Sequence, residues 1–240
     1  MPPNPKKNFI RLLFEGHFFA LLVCLLVFLV SYPYLWSWNW GQKLLIVLLL
    51  GILFAGVISM REIKWVYYTG VLIGSPVFIL NVIRIFRQET PFMEFLTLIF
   101  IIPFFAYVTL CTLYRVLTGD KVTLDKLLGA AAVYLLMGLT WSVTYTVLEI
   151  IQPGNFFIPV TSISDSMIWL DFIYYSFTTL TTLGYGEVHP ITHQARSLSI
   201  LEAVTGVLYV AFLVARLVSM YQIERSEELH ERKDRRQETE

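Results

Sequence analysis

Thr179, Thr182, Gly184, Tyr185 and Gly186 stand in the spacing Thr-x-x-Thr-x-Gly-Tyr-Gly, inside the stretch SFTTLTTLGYGEVHP of residues 176–190. Ser176, Thr178, Thr181 and Thr192 add further hydroxyls to the same neighbourhood. The chemistry open to such a stretch is the stripping of water from a cation, where a row of oxygens replaces the hydration shell. Backbone carbonyls supply that row only when consecutive residues turn them the same way. That geometry calls for left-handed backbone conformations, which glycine adopts without steric cost, and Gly184 and Gly186, one residue apart, meet the need. The hydroxyls of Thr179, Thr181 and Thr182 can cover backbone groups or add one more ring of oxygens.

The elements that must position this stretch are apolar. Of the 240 residues, 56% are hydrophobic and only 15% charged, with a mean hydropathy of +0.64. A soluble domain carries about a quarter charged residues, so this chain is read as a membrane protein. Spanning helices, which need about 20 apolar residues, are predicted at Phe18–Leu35, Leu44–Met60, Trp65–Ile83, Phe95–Tyr114, Leu127–Ile150 and Leu198–Tyr221. Between the last two, Met167–Leu180 is apolar but too short to cross, as expected of a re-entrant segment shielded by protein or water. Ser162, Ser164, Asp165 and Ser166 are candidate caps for its start, and its C-terminal end near Leu180 would aim partial negative charge at a cation.

Orientation follows from Lys and Arg near the spans. With the N-terminus inside, the inner side holds Lys6, Lys7, Arg11, Arg61, Lys64, Arg115, Lys121, Lys126, Arg225, Arg232, Lys233, Arg235 and Arg236. The outer side holds Lys43, Arg84, Arg87 and Arg196, thirteen against four. Both termini are therefore expected in the cytoplasm of a multi-pass cell-membrane protein, with the re-entrant segment facing outward. No small-residue cleavage site follows the first apolar run, so it is read as a retained helix. Tyr32, Tyr34, Trp36, Trp38 and Trp40 suit the outer interface. Pro153-Gly154 is expected to close the fifth helix and Gly119-Asp120 the loop after the fourth. Cys24 and Cys111 lie in apolar runs and are read as buried thiols, neither a disulfide framework nor a zinc site. The tail from Gln222 carries seven acids and five bases and is expected to be a solvated helix or a disordered end.

Residues Phe172–Pro190, FIYYSFTTLTTLGYGEVHP, resemble the pore helix and selectivity filter of tetrameric potassium channels, filling every fixed place of the signature T-x-x-T-x-G-Y-G. The resemblance implies that the carbonyls of Thr182, Leu183, Gly184 and Tyr185 bind potassium, with the Thr182 hydroxyl as innermost ring. Gly186 would complete the filter, and four copies of the chain would form a homotetramer. Tyr174, Tyr175, Thr178, Thr179, Thr181, Glu187 and Glu202 would support the filter, Glu202 from behind. LEAVTGVLYVAFLVARLVSMY, from Leu201, resembles the inner pore-lining helix, with Gly206 and Arg216 as candidate gating residues. Gly206 is either a hinge or a close-packing point, and Arg216 is expected to extend toward the cytoplasmic face. Leu183 and Glu187 depart from the usual valine and aspartate. Tyr174 and Tyr175 replace common tryptophans, so a Trp-to-carboxylate hydrogen bond cannot form. These departures bear on filter stability.

The expected fold is thus an all-α integral membrane protein: six transmembrane helices plus one re-entrant pore helix and filter loop, assembled as a homotetramer. Residues 1–126 form an N-terminal four-helix region and 127–221 the pore domain (pore helix 166–180, filter 182–186, inner helix 198–221). Residues 222–240 form a charged tail. The fourth helix lacks the repeated Arg or Lys of a voltage sensor, Arg84 and Arg87 are read as a solvated face or lipid contacts, and Glu62 and Glu94 offer no counter-charge ladder. His189 and His193 are candidates for external pH sensing.

The expected function is passive potassium conduction without steep voltage dependence. The partners are lipids and potassium as permeant ion, with no other cofactor and no nucleic acid. A less selective cation channel and a non-conducting scaffold or sensor are the alternatives, with a transporter disfavoured by the single loop. The scattered His17, His189, His193 and His230 give no sign of an enzyme.

Overall fold

The computed structural model describes residues 18–35, 40–61, 63–86, 90–118, 123–159 and 168–237, with side-chain surroundings as far as residue 222. The candidate caps Ser162, Ser164, Asp165 and Ser166, the Gly119-Asp120 loop, Glu62, Arg87, His17 and Trp36 and Trp38 lie outside the described residues, as do the surroundings of His230. Seven helices follow in chain order: α1 Phe19–Leu35, α2 Gly41–Ser59, α3 Lys64–Phe86, α4 Pro91–Leu117, α5 Leu124–Ile151, α6 Ile168–Leu180 and α7 His193–Gln237. A two-residue antiparallel ladder joins β1 (Phe156–Phe157) to β2 (His189–Pro190), pairing Phe156 with Pro190 and Phe157 with His189.

Five of these helices, α2 to α5 and the first 30 residues of α7, are long and apolar enough to cross a membrane. The predicted first span, α1, has 17 residues, about 25 Å at 1.5 Å per residue, and falls short of the roughly 30 Å hydrocarbon core. The re-entrant segment is the 13-residue helix α6, about 20 Å long.

Local chemistry sets the helix ends. Thr90 caps α4 by accepting from Met93 N, with Pro91 at the first position, where its missing N–H costs nothing. Thr123 likewise caps α5 through Lys126 N. That helix stops before Gly154, whose φ of 92° lies in the left-handed region.

The main core draws Leu21, Leu25 and Phe28 of α1 against Ile52 and Leu53 of α2, Phe104, Phe105 and Val108 of α4, and Leu136, Leu139 and Val143 of α5. Ile173 of α6 is buried in this core too. Trp169 packs against Phe28, ring centroids 5.8 Å apart. Helix α6 is therefore seated on the N-terminal helices as well as on α5 and α7.

At the end of the bundle where α2 and α4 finish, basic side chains meet the carbonyls left unpaired by helix termini. Arg115 Nη1 donates to Ser59 O at the end of α2, and its guanidinium lies 4.8 Å from the Phe18 ring. Lys126 Nζ donates to Thr118 O over 2.7 Å, and Arg216 Nε of α7 to Leu117 O over 3.1 Å. Arg216 thus reaches toward the same end of the bundle as Arg115 and Lys126, where it engages the end of α4. Arg84, expected on a solvated face, is half-buried and lines a cavity with Asn81, Glu94, Thr97 and Trp169.

Helix α7 continues through the charged tail to Gln237. The sequence places Glu228 and Glu231 four residues ahead of Arg232 and Arg235, a spacing that favours helix. Both cysteines are free and half-buried.

Candidate functional site: the Thr-Leu-Gly-Tyr-Gly loop and its supports

Beyond Leu180 the chain folds back on the end of α6. Thr182 N donates to Thr179 O over 3.0 Å, and the amides of Leu183 and Gly184 both donate to Thr178 O, over 2.8 and 3.0 Å. The loop then adopts left-handed backbone at alternate residues: Thr182 at φ 61°, Gly184 at 55° and Gly186 at 83°. The two glycines take the conformations expected of them. Thr182 is the surprise, since a β-branched residue in this region is strained, and it is the one non-glycine with positive φ among the described residues. Such alternation lets neighbouring peptide carbonyls turn toward one side. Leu183 and Tyr185 are 55% and 65% exposed, so a single chain leaves more than half of each uncovered.

Side chains of α6 brace this loop. The Tyr174 and Tyr185 rings stack with centroids 6.4 Å apart and planes 1° from parallel. The Glu187 carboxylate lies near the Tyr174 phenol. Tyr175 Oη lies 2.5 Å from Ser199 Oγ of α7. Thr178 and Thr181 turn their hydroxyls back onto the carbonyls of Tyr175 and Phe177, over 3.0 and 2.6 Å. Those two hydroxyls cover helix carbonyls and do not add an oxygen ring.

Glu202, the one membrane-depth acid of α7, is fully buried. Its Oε2 accepts from Tyr145 Oη of α5 over 2.6 Å, and its Oε1 lies 2.5 Å from Ser176 Oγ of α6. Ser176 Oγ is also 2.7 Å from the Gly138 carbonyl of α5. Three helices therefore meet at one carboxyl behind the loop. Tyr145, Ser176 and Gly138 were not singled out from sequence. Tyr145 is held by edge contacts with Phe156 and Tyr175, centroids 5.3 and 5.1 Å apart.

Gly206 lies in an unbroken helix. A β-carbon there would stand 2.5 Å from Leu180 O, which also accepts from Tyr134 Oη over 3.1 Å. Close packing, not a hinge, is what this geometry supports for Gly206.

The far side of the loop is tied down by residues the sequence reading passed over. Asn155 is fully buried. Its Nδ2 donates to Leu148 O and Gln152 O, its Oδ1 accepts from Thr192 Oγ1, and its carbonyl accepts from Ile191 N. Glu149 accepts from the amides of Gly154, Asn155 and Phe156 over 2.6 to 3.2 Å. The signal was present in sequence as an acid four residues before the Pro-Gly turn it would cap. His189 stacks on Phe157, centroids 4.9 Å apart, and its Nδ1 lies 3.1 Å from Gly186 O. His193 is exposed at the first position of α7. His189 sits on β2, so the pair shares no helix. Among the described residues no group of three or more His, Cys, Asp or Glu could hold a metal.

Residues 126–222 match a family model described as "Ion channel". The two-pore potassium channel 4 of Arabidopsis thaliana is 33% identical over 94 residues, which cover 39% of this chain and 30% of that protein. The chain thus spans under a third of the length of that curated relative. No solved structure matches. The matched residues take in α5, α6, the loop and the apolar part of α7, so this part of the chain is similar to an ion-channel domain and to a stretch of a two-pore potassium channel.

Proposed function

We propose that this chain is the subunit of a potassium-selective pore in the cell membrane that conducts passively and without steep voltage dependence. Four copies would bring their 182–186 loops around one axis. Carbonyls of Thr182, Leu183, Gly184 and Tyr185 would take the place of potassium's hydration shell, with the Thr182 hydroxyl innermost. The observation that carries this reading is the alternation of left-handed backbone at Thr182, Gly184 and Gly186 directly beyond the C-terminal end of α6.

Assembly is favoured by what one chain leaves uncovered. Most of the α7 span is not buried, and Val207, Phe212 and Val214 on it are more than half exposed, as are Leu183 and Tyr185. A homotetramer covers the loop and one face of α7, and lipid covers the rest. The absence of steep voltage dependence is inferred from α4, which carries no Lys or Arg before Arg115 in its last turn. The basic residues gathered where α2 and α4 finish support the cytoplasmic placement of both termini. That placement requires α1 to cross as a short sixth span.

Flux through purified protein in liposomes tests the proposal, with a potassium gradient and then a sodium gradient, and barium as blocker. Barium-sensitive flux with potassium strongly preferred is the expected result. Equal potassium and sodium flux would make it a less selective cation channel. Silence in both, across a range of pH and voltage, would overturn the proposal in favour of a non-conducting scaffold.

A further inference from the structure

The contacts around Glu202 require more protons than the neighbouring hydroxyls own. Three short oxygen–oxygen contacts meet there: Tyr145 Oη to Glu202 Oε2 at 2.6 Å, Ser176 Oγ to Glu202 Oε1 at 2.5 Å, and Ser176 Oγ to Gly138 O at 2.7 Å. A hydroxyl carries one proton and a carbonyl none. Tyr145 supplies the first contact and Ser176 only one of the other two. If Ser176 donates to Gly138, nothing lies between Oγ and Oε1. If it donates to Glu202, nothing lies between Oγ and the Gly138 carbonyl. A proton donated to one acceptor leaves the other pair lone pair to lone pair, and a proton shared between both leaves two weak bonds at contacts this short.

We propose that Glu202 is a neutral carboxylic acid whose own proton fills the Ser176 contact, making it the positioning residue that joins α5, α6 and α7 behind the loop. In that form every polar atom is satisfied: Tyr145 donates to Oε2, Oε1–H donates to Ser176 Oγ, and Ser176 donates to Gly138 O. The surroundings agree. Glu202 is fully buried. The titratable groups that face it are Tyr134 and Tyr145 of α5 and Tyr175 of α6, and among the described residues no Lys, Arg or His is a partner. An ionised carboxylate there would be buried with no counter-charge among them, which desolvation opposes. The neutral acid carries no such penalty and gains a donor. The proposed channel function enters only in what α6 positions; the protonation state stands on the three contacts alone.

Infrared difference spectroscopy on the full chain in liposomes decides the point, because it reads the carboxyl whether or not the protein conducts. Subtracting the Glu202→Gln spectrum from wild type at neutral pH is expected to leave one protonated-carboxyl stretch. Carboxylate bands in its place would overturn the proposal. Ser176→Ala removes the acceptor of the carboxyl proton and is expected to shift the same band, whereas an unmoved band would overturn the assigned contact. For the positioning role, the amide of Glu202→Gln can still donate to Ser176 and accept from Tyr145. It is expected to keep the potassium-over-sodium preference within about twofold of wild type. Glu202→Met offers neither and is expected to lower that preference about tenfold, equivalent to about 1.4 kcal/mol. Equal selectivity in both variants would overturn the positioning role. Should Glu202→Met fail to assemble, the wild-type and Ser176→Ala spectra still decide the protonation state.

Discussion

The carbonyl oxygen of Leu180, the last residue of α6, lies where a β-carbon on Gly206 would stand 2.5 Å away. Real side chains do not tolerate that distance to backbone, so Gly206→Ala must push the end of α6 away from α7. Overpacking of this kind costs about 1–3 kcal/mol. Thermal unfolding in detergent should therefore show a lower Tm for the variant, together with loss of potassium preference. An unchanged Tm with altered flux would restore the hinge.

Arg216 ties the middle of α7 to the end of α4 through Leu117 O. A charged donor to a carbonyl is worth about 1.5–3 kcal/mol, enough to shift a two-state equilibrium at least tenfold. Arg216→Gln is expected to change the amplitude of flux by that order while leaving the potassium-to-sodium ratio as in wild type. Paired flux measurements in the two gradients separate these effects, and a changed ratio would place Arg216 among the loop's supports instead.

Gly184 holds φ at 55°, a region where a β-carbon costs roughly 1–2 kcal/mol per residue. Gly184→Ala pays this in every copy, and should abolish potassium preference in the liposome assay. Thr182→Ser keeps the hydroxyl and should retain preference, although Thr182 itself stands at φ 61°.

Asn155 is the knot of the outer loop, with its side chain bonded to Leu148, Gln152 and Thr192. Asn155→Ala leaves buried carbonyls without donors, at about 1–3 kcal/mol each. A lower Tm is expected, with faster hydrogen exchange at the Phe156 and Phe157 amides of β1. Wild-type exchange rates there would show that the ladder stands without Asn155.

His189 places its ring 3.1 Å from Gly186 O. His189→Gln loses the stacking on Phe157 and is expected to lower the potassium-to-sodium ratio in the liposome assay, while His193→Gln, exposed at the start of α7, should not. Wild-type ratios in both variants would remove His189 from the supports of the loop.

Much of this molecule is written in residue types with one strong physical meaning. Apolar runs located α2 to α5 and α7, Pro153-Gly154 marked the end of α5, and the Gly-x-Gly spacing located the left-handed positions. What sequence concealed were relationships between distant residues. Tyr145 reads as one apolar aromatic among many until α5 and α7 set its hydroxyl against Glu202, 57 positions away. Gly206 is equally compatible with bending and with contact, and only the arrival of Leu180 distinguishes them. Thr182 carries no local mark of positive φ, because its conformation is imposed by the amides of Leu183 and Gly184 turning back to Thr178 O. Arg216 shows its charge in sequence but not the carbonyl that claims it.

The seating of α6 bears on how the protein is made. Trp169 and Ile173 rest on a core drawn largely from α1, α2 and α4, all of which leave the ribosome before α6 does. A helix too short to cross the bilayer by itself is thus handed a finished berth as it emerges. Removing the N-terminal helices would take away the surface on which Trp169 and Ile173 of α6 rest.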